Sequence, residues 1–394
     1  GLILARMARA NGHAQKPVIV VPKSVQANWV AEIEHWFPGA SYLTIGETFT
    51  RGKDGELKGK SDSPAERARK WHDLRQNDYD FVLVSMPAWN DIDLDPVTKK
   101  ELHDREFDVR RGDALGAAGD KRTKQIREAW EQARGKLDFR KRSDAVYFND
   151  LGVDMIIGDE FHAYKNLFQV KNQRGFAPKF LGGSGQSMRA QDTNLKCKWL
   201  LGQTGGVNVY GLTATPTKNS PLEVYSMLNH IAPEEFEARG IKNSEDFISR
   251  YCLFKPELIT STSGDLEETL VTVGFMNLDE LRDIMRRYIN RRTAEDVGLE
   301  LPERDDRQHL VDMSPEQESV YQVLREQVVE SARSADASGD SHIFSVMSRM
   351  SKAAIDLELL SPVDYPNAAS PKLDAVVKNV VEGGSPGASI GAHF

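Results

Sequence analysis

Four short apolar segments occur in the first part of the chain, and polar or turn-forming residues follow each of them. They lie at residues 18–21, 81–84, 155–157 and 207–212. Unbroken apolar runs of this length are typical of strands that are buried on both faces of a sheet. Sequences with helical spacing separate them, and this alternation predicts an α/β fold with a central parallel sheet. Ligands of such sheets bind at the carboxyl ends of the strands.

The helical spacing is clearest in the segment SVQANWVAEIEHWF, which follows the first predicted strand. Trp29, Ile33 and Trp36 recur there at intervals that place them on one helix face. Ser24 precedes them and is a suitable residue for the N-cap. We therefore predict an amphipathic helix with Trp29, Ile33 and Trp36 on one face.

After Pro221 the strand pattern fades, and most of the remaining sequence has helical spacing. Val320, Leu324 and Val328 recur every four residues and predict one packed helix face. We predict an α/β lobe with two insertions, then a mostly helical region, and then the beginning of a further lobe. The predicted bounds are 1–220 for the lobe, about 98–142 and 167–196 for its insertions, 221–369 for the helical region and 370–394 for the further lobe.

The charge of the chain is unevenly distributed. The net charge is −8, yet the segment 165–198 carries seven Lys or Arg residues against one acid, Asp192, and 98–142 is also basic. No apolar run approaches the roughly 18 residues of a membrane-spanning helix, so we expect no membrane association. Cys197 and Cys252 lack companion cysteines, which favours neither a disulfide framework nor a zinc site. A reducing, cytoplasmic location is expected.

Two adjacent carboxylates end the third predicted strand. The sequence MIIGDEFH passes from the strand into Asp159 and Glu160, and His162 follows. An Asp at this position can hold Mg²⁺ through water, and a neighbouring Glu can polarise an attacking water, as nucleotide hydrolysis requires. The alternative is that both carboxylates are ordinary solvated residues and that His162 is structural.

The fourth predicted strand ends in hydroxyl side chains, in the sequence VYGLTATPTKN. Thr213 and Thr215 could form hydrogen bonds with His162, or with a carboxylate on the neighbouring strand. The alternative is a Thr-rich strand end without a special role. The two strand ends together favour a shared site.

Taken in order, these segments resemble the SWI/SNF-type DNA translocases of helicase superfamily two. PVIVVPKSVQANWVAEIEHWFP is similar to motif Ia, YDFVLVSMPAW to motif Ib, DEFHAYKN to the DEAH-type motif II, and LTATP to motif III. PLEVYSMLNHIAP, INRRTAEDVGLELPER and MSPEQESVYQVL resemble the helical region of that family, and SPKLDAVV resembles the entry into its second RecA-like lobe. The basic, glycine-rich segment with SMRAQD further resembles large helicase-and-methylase polypeptides of phages and plasmids.

The resemblance implies a RecA-like motor lobe that uses ATP and Mg²⁺ and moves on double-stranded DNA. Asp159 would hold Mg²⁺ through water and Glu160 would position the hydrolytic water. His162, with Thr213 and Thr215, would couple hydrolysis to motion. Contacts to the DNA backbone are expected, from motifs Ia and Ib and from the charge of the basic loop, at Pro22, Lys23, Ser24, Ser85, Met86, Lys171, Arg174, Lys179 and Arg189. Phe161 stands where the family has a small residue.

No phosphate-cradling G-x-G-K-[ST] loop occurs in the sequence, because LGGSGQSMR lacks the Lys-Ser/Thr pair and follows motif II. The family has that loop directly before the helix that leads into motif Ia. We therefore expect it within roughly ten residues upstream of Gly1, and a second, arginine-bearing RecA-like lobe after Phe394. This chain alone is expected to fold at least partly and to lack DNA-stimulated ATPase activity.

Two other interpretations remain. A catalytically inactive motor fold could serve as a scaffold that binds DNA or a protein partner. A metal-dependent hydrolase could use Asp159, Glu160 and His162 as direct ligands, but adjacent residues of a strand point to opposite faces and the sequence shows no further His/Asp cluster to complete the coordination.

Overall fold

A parallel sheet of five strands lies at the centre of the first part of the chain in the computed structural model. The structure describes the chain except residues 54, 106–144, 169–186, 217–220, 261–265, 301–307, 335–339 and 383–394. The strands of the sheet, in spatial order, are β2 (Tyr42–Ile45), β5 (Phe81–Ser85), β1 (Pro17–Val21), β6 (Met155–Gly158) and β7 (Val209–Gly211). The four predicted strands are therefore confirmed, and β2 adds an edge strand that the sequence analysis missed.

Both faces of the sheet are covered, because successive strand residues point to opposite sides. On one face Val18, Val20 and Ile156 belong to one apolar cluster. On the other face Ile19 and Ile157 belong to a second cluster. This two-sided burial explains why the strands read as unbroken apolar runs, and it confirms the predicted α/β class.

Helices flank the sheet and continue the chain beyond it. A further helix occupies residues 96–105, where the described range ends. The bounds of the other helices are α1 (Leu2–Ala10), α2 (Gln26–Trp36), α3 (Pro64–Gln76), α4 (Met86–Asp91), α5 (Met188–Thr204), α6 (Pro221–Ile231), α7 (Pro233–Glu237), α8 (Ser244–Tyr251), α9 (Leu278–Tyr288), α10 (Pro315–Ser334), α11 (Asp340–Ala353) and α12 (Pro371–Glu382).

Helix α2 differs from its prediction in two respects. Its N-cap is Val25, which makes no side-chain cap, and Ser24 lies in a 3-10 turn that runs directly into the helix; the predicted Ser24 cap is wrong. Val30 and Ile33 are fully buried, whereas Trp36 is 65% exposed. Three residues advance a helix by about 300°, so Trp36 lies at the edge of the stripe that Ile33 occupies, and the predicted face is only partly packed.

An antiparallel hairpin, which the sequence analysis did not predict, follows β2. It consists of β3 (Glu47–Arg51) and β4 (Leu57–Ser61). A buried ion pair holds its base: Lys70 Nζ donates to the two carboxylate oxygens of Asp62 at 2.7 and 2.9 Å. Asp62 also accepts the amide of Gly46 at 2.8 Å. The hairpin depends on contacts distant in sequence, which short-range patterns do not reveal.

The region after Pro221 also contains a two-stranded sheet, formed by β8 (Cys252–Thr260) and β9 (Leu266–Phe275). The sequence analysis predicted no strands there. Pro256 and several charged side chains interrupt the apolar pattern of these strands, so the period-two signal is weak. The prediction of a mostly helical region omitted this element.

The chain divides into two compact units. The first comprises Gly1–Lys255 and Leu270–Asn290, so α6 to α8 belong with the parallel sheet. The second comprises Pro256–Thr269 and Arg291–Phe394. These compact units do not test the predicted division of the chain into a motor lobe, a helical region and a further lobe. The boundaries at 220 and 369 therefore stay predictions.

The second unit has its own apolar cluster. Leu324 of α10 is buried, and Val320 and Val328 are partly buried against the same cluster. Val346 of α11 packs there as well. The predicted face of α10 is therefore confirmed.

Candidate active site

The turn that carries the two adjacent carboxylates is held between the strands on either side of β6. The amide of Asp159 donates to the carbonyl of Val20 in β1 at 2.7 Å. On the other side, the amide of Phe161 donates to the carbonyl of Leu212 at 2.9 Å, and the amide of Leu212 donates to Gly158 at 2.8 Å. Backbone hydrogen bonds to both neighbouring strands therefore fix the turn at the carboxyl edge of the sheet.

The Asp159 carboxylate is oriented by two donors. Its Oδ2 accepts the indole N–H of Trp29 at 3.0 Å, and its Oδ1 accepts the amide of Glu160 at 3.0 Å. A carboxylate oxygen has two lone pairs, so each oxygen keeps one for a further ligand. The sequence analysis placed Trp29 on one face of α2 with Ile33 and did not identify it as a site residue.

Glu160 has a left-handed backbone, with φ 45° and ψ 47°. A residue with a Cβ is uncommon in this region, and its strain of about 1–3 kcal/mol is often found at functional sites. The conformation turns the Glu160 side chain away from the direction that a continued strand would give it. That side chain remains 47% exposed.

His162 connects Glu160 to the end of β7. Its Nδ1 lies 3.1 Å from Glu160 Oε2 and 3.0 Å from Thr213 Oγ1. Because an ionised carboxylate only accepts, the contact with Glu160 is a hydrogen bond when Nδ1 carries a proton. Thr213 Oγ1 also accepts the amide of Thr215 at 3.1 Å. The expected contact between His162 and Thr213 is therefore present, whereas Thr215 contributes through its backbone.

Phe161 is accommodated by two glycines. It is fully buried, and a Cβ added at Gly158 or at Gly211 would lie 2.5 Å from its ring. Neither glycine has a positive φ, so neither is required by the backbone conformation. The missing side chains at the ends of β6 and β7 leave room for a large ring where the family has a small residue.

Helix α6 holds the other end of the same turn. Lys165 Nζ forms an ion pair with Glu223 Oε1 at 2.8 Å, and both side chains are largely buried. The carbonyl of Tyr164 lies 3.2 Å from His230 Nε2, and the amide nitrogen of the Asn194 side chain lies 3.3 Å from His230 Nδ1. The sequence analysis did not identify Glu223, His230 or Asn194. An acid and a histidine within the apolar pattern of PLEVYSMLNHI were the available signal.

Burial lowers the pKa of His230 to about 4, from the usual 6.5. The unfolded chain therefore takes up a proton below about pH 6.5, whereas the folded protein resists it until about pH 4. We expect the free energy of unfolding to fall as the pH decreases through this window, by up to about 3 kcal/mol from this group. Urea unfolding at a series of pH values measures this decrease in the free energy of unfolding.

The matched variants for this prediction are His230→Phe and His72→Gln. His230→Phe removes the titrating group and should flatten the pH dependence, even though it also lowers stability at neutral pH. His72 is exposed on α3, and its replacement should leave the dependence unchanged. An equal slope in the parent protein and His230→Phe would contradict the assignment.

The residues expected to contact DNA differ in their location and in the exposure of their side chains. Pro22, Lys23 and Ser24 directly follow β1, at the same sheet edge as the carboxylates. Lys23 Nζ donates to Ser61 Oγ at 2.7 Å and lies 3.8 Å from Glu47 Oε1. These three residues stay predicted DNA contacts.

Two of the expected DNA contacts have buried side chains. Ser85 is 1% exposed and its hydroxyl caps α4, and Met86 packs in the core. Arg189 is exposed in the first turn of α5. The other three expected contacts lie outside the described residues: Lys171, Arg174 and Lys179.

A direct metal centre has no ligand set in the part of the chain that the structure describes. No group of three or more His, Cys, Asp or Glu side chains there could hold a metal ion. Water-mediated binding of Mg²⁺ by one carboxylate, as expected for Asp159, does not need such a group. The described residues also include no helix that is long and apolar enough to cross a membrane.

The family model of the SNF2-related domain matches residues 185–359. This match agrees with the resemblance to the SWI/SNF type that the sequence motifs indicate. The matched range includes α5, β7 and α6, which bound the site described above. Asp159 and Glu160 precede the matched range and follow β6 of the parallel sheet, which confirms the predicted α/β fold class.

Two curated relatives are similar to this chain. "Defense against restriction protein B" of Escherichia phage P1 is 27% identical over 396 residues, which cover 89% of this chain and 18% of that protein. "Lymphoid-specific helicase" of Homo sapiens is 28% identical over 134 residues, which cover 33% of this chain and 15% of that protein. The chain thus spans less than a fifth of the length of either relative.

A solved structure, "Sulfolobus solfataricus SWI2/SNF2 ATPase core in complex with dsDNA", covers 96% of this chain over 57% of its own length. The sequence identity is 14% and the TM-score is 0.36. A TM-score of this size adds no weight to the assignment, which depends on the family model and on the motifs.

Proposed function

We propose that the chain forms the ATP-hydrolysing first motor lobe of a double-stranded DNA translocase. The observation that carries the proposal is the arrangement at the end of β6. Asp159 is oriented there by two donors, and the strained Glu160 contacts His162, which contacts Thr213 on the next strand. A second RecA-like lobe of the same polypeptide is proposed to complete the nucleotide site.

The Asp159 carboxylate fits the Mg²⁺ of an Mg²⁺–ATP complex. Asp159 lies at the carboxyl edge of a parallel sheet, where α/β folds bind ligands, and its oxygens keep free lone pairs. Asp159 would hold Mg²⁺ through water. Bound Mg²⁺ neutralises charge that develops on the phosphates during hydrolysis.

Glu160 is the proposed base that positions and polarises the attacking water. Its side chain is half-exposed at the site, so it can reach a water molecule, and its contact with His162 limits its rotation. The left-handed backbone supports this role, because strain of this kind is retained where the surrounding structure requires one orientation.

His162 and Thr213 are proposed to transmit the state of the nucleotide site. They join the turn after β6 to the segment after β7, and Thr215 extends the contact through its amide. A change in the position of Glu160 would therefore alter hydrogen bonds on the neighbouring strand end, and from there the chain continues into α6.

Double-stranded DNA is the proposed track. Lys23 follows β1 at the same edge of the sheet, and Arg189 is exposed at the start of α5 after the basic segment. Lys and Arg contacts to phosphates are independent of base sequence and weaken with salt. A translocase requires contacts of this kind, because it moves along DNA of any sequence.

The direct test is phosphate release by the full-length protein, with ATP and Mg²⁺, in the presence and absence of duplex DNA. We expect hydrolysis that duplex DNA stimulates, and DNA binding that weakens as salt increases. The same assay with excess EDTA is the control. Binding of DNA without any hydrolysis would contradict the proposal and favour the inactive scaffold.

A further inference from the structure

Trp29 joins helix α2 to the carboxylate that is proposed to hold Mg²⁺. Its indole N–H donates to Asp159 Oδ2 at 3.0 Å, across a sequence separation of 130 residues. The proposed function assigns no role to this tryptophan. Because an indole N–H can donate but cannot accept, Asp159 Oδ2 is the acceptor in this contact.

Packing against neighbouring residues fixes the position of the Trp29 indole ring. Helix α2 is anchored by Val30 and Ile33, which are fully buried in the cluster on one face of the sheet. The ring itself packs against the start of α1, since a Cβ added at Gly1 would lie 2.4 Å from it. Trp29 is also partly buried against the same cluster as Leu212. The donor is thus presented by a packed helix and a constrained ring.

The two donors to Asp159 act on different oxygens. The amide of Glu160 binds Oδ1, and the indole of Trp29 binds Oδ2. The Glu160 amide alone would leave the carboxylate free to rotate about that one contact. With both donors in place, the plane of the carboxylate is set, and the unused lone pairs have defined directions.

We propose that Trp29 is a positioning residue that orients the Asp159 carboxylate for Mg²⁺. The inference rests on the proposed function, since it concerns the same site. Partners that orient a metal-binding side chain from outside the coordination sphere typically change metal affinity by about 10-fold to 100-fold when they are removed. A change of that size is expected here in the affinity for Mg²⁺.

A packing role for Trp29 predicts a different outcome. If the ring only filled space between α1 and α2, its replacement would lower stability and would weaken nucleotide binding with or without Mg²⁺. Trp36 provides a matched comparison on the same helix. Its indole N–H also donates to a carboxylate oxygen, Glu32 Oε2, at 2.6 Å. Trp36 is 65% exposed, however, and this hydrogen bond involves none of the site residues described above.

The experiment uses the full-length protein and its variants Trp29→Phe and Trp36→Phe. Binding of a fluorescent ATP analogue is measured at increasing Mg²⁺ concentration, and separately in EDTA. For Trp29→Phe we expect the Mg²⁺ concentration at half-saturation to rise by about 10-fold to 100-fold. Binding in EDTA should change by less than about 2-fold, and Trp36→Phe should match the parent protein in both measurements.

A second replacement keeps the shape of the ring. Benzothienylalanine at position 29 has a bicyclic ring with sulfur in place of N–H, so packing is retained and the donor is lost. It should show the same shift in Mg²⁺ dependence as Trp29→Phe, without a change in the unfolding midpoint.

Three results would overturn the inference. The first is an unchanged Mg²⁺ dependence in both replacements at Trp29. The second is an equal loss of nucleotide binding in Mg²⁺ and in EDTA, which would indicate packing. The third is the absence of Mg²⁺-dependent nucleotide binding in the parent protein. The first two leave the proposed function intact, whereas the third overturns it together with the inference.

Discussion

Replacement of Glu160 by Gln should reduce ATP turnover by about 10² to 10⁴-fold, the range for loss of a positioned general base. Gln retains the size of the side chain and can still contact His162, but it cannot accept a proton from water at neutral pH. Nucleotide binding should be retained, because Asp159 and its two donors are unchanged. Phosphate release by the full-length protein with duplex DNA measures the effect, and binding of a fluorescent ATP analogue verifies the intact site.

The control for this prediction is Glu237→Gln. Glu237 is an exposed carboxylate on α7, and its replacement should leave turnover unchanged. Near-normal turnover in Glu160→Gln would remove Glu160 from the proposed role. A parallel loss of nucleotide binding would instead indicate that Glu160 supports the structure of the turn.

Replacement of Phe161 by Ala should lower the free energy of unfolding by about 3–5 kcal/mol, the range for loss of a buried aromatic ring. Phe161 is fully buried beneath the carboxylate turn and contacts the rings of Tyr164 and His230 edge to face. The change restores a small residue of the kind found in the family, yet here it leaves a cavity between two glycines. Urea unfolding measures the loss.

The glycines supply the matched variants. Gly211→Ala alone places a methyl group 2.5 Å from the Phe161 ring, and such overpacking costs about 1–3 kcal/mol. In the Phe161→Ala background the ring is absent and only the Cβ of residue 161, at 3.1 Å, stays close to the added methyl group, so the cost should be smaller. Phe275→Ala, at an exposed position of β9, should change stability by less than about 0.5 kcal/mol. An equal cost of Gly211→Ala in both backgrounds would refute the proposed fit.

Much of the fold follows from local patterns. Strands buried on both faces produce unbroken apolar runs, so β1, β5 and β6 were found from the sequence. In β7 only Val209 is buried, and this strand was found from the mostly apolar segment that contains it. Helix α6 lies in the part of the chain after the strand pattern fades, where its regular apolar spacing indicates a helix. Shorter or interrupted strands have weaker patterns and were missed, namely β2, β3, β4, β8 and β9.

The chemical character of the site was also evident in the sequence. Asp159 and Glu160 follow a buried strand and Thr213 follows the next, and carboxyl ends of parallel strands meet at one edge of a sheet. Because β6 and β7 are neighbours, the predicted proximity of His162 and Thr213 is confirmed at 3.0 Å. The roles of these residues stay predictions.

By itself, the sequence determined the class of the fold, the order of its motifs and the carboxylate pair, since each depends on residues close together along the chain. Only the tertiary structure decided which side chains complete the site. In the structure Trp29, and not Trp36, donates to Asp159. Glu160 has a left-handed backbone conformation, and the Phe161 ring packs against two glycines. Such contacts depend on strand order, on the rotation of each helix about its axis and on close packing, which act between residues far apart in sequence and leave no local pattern.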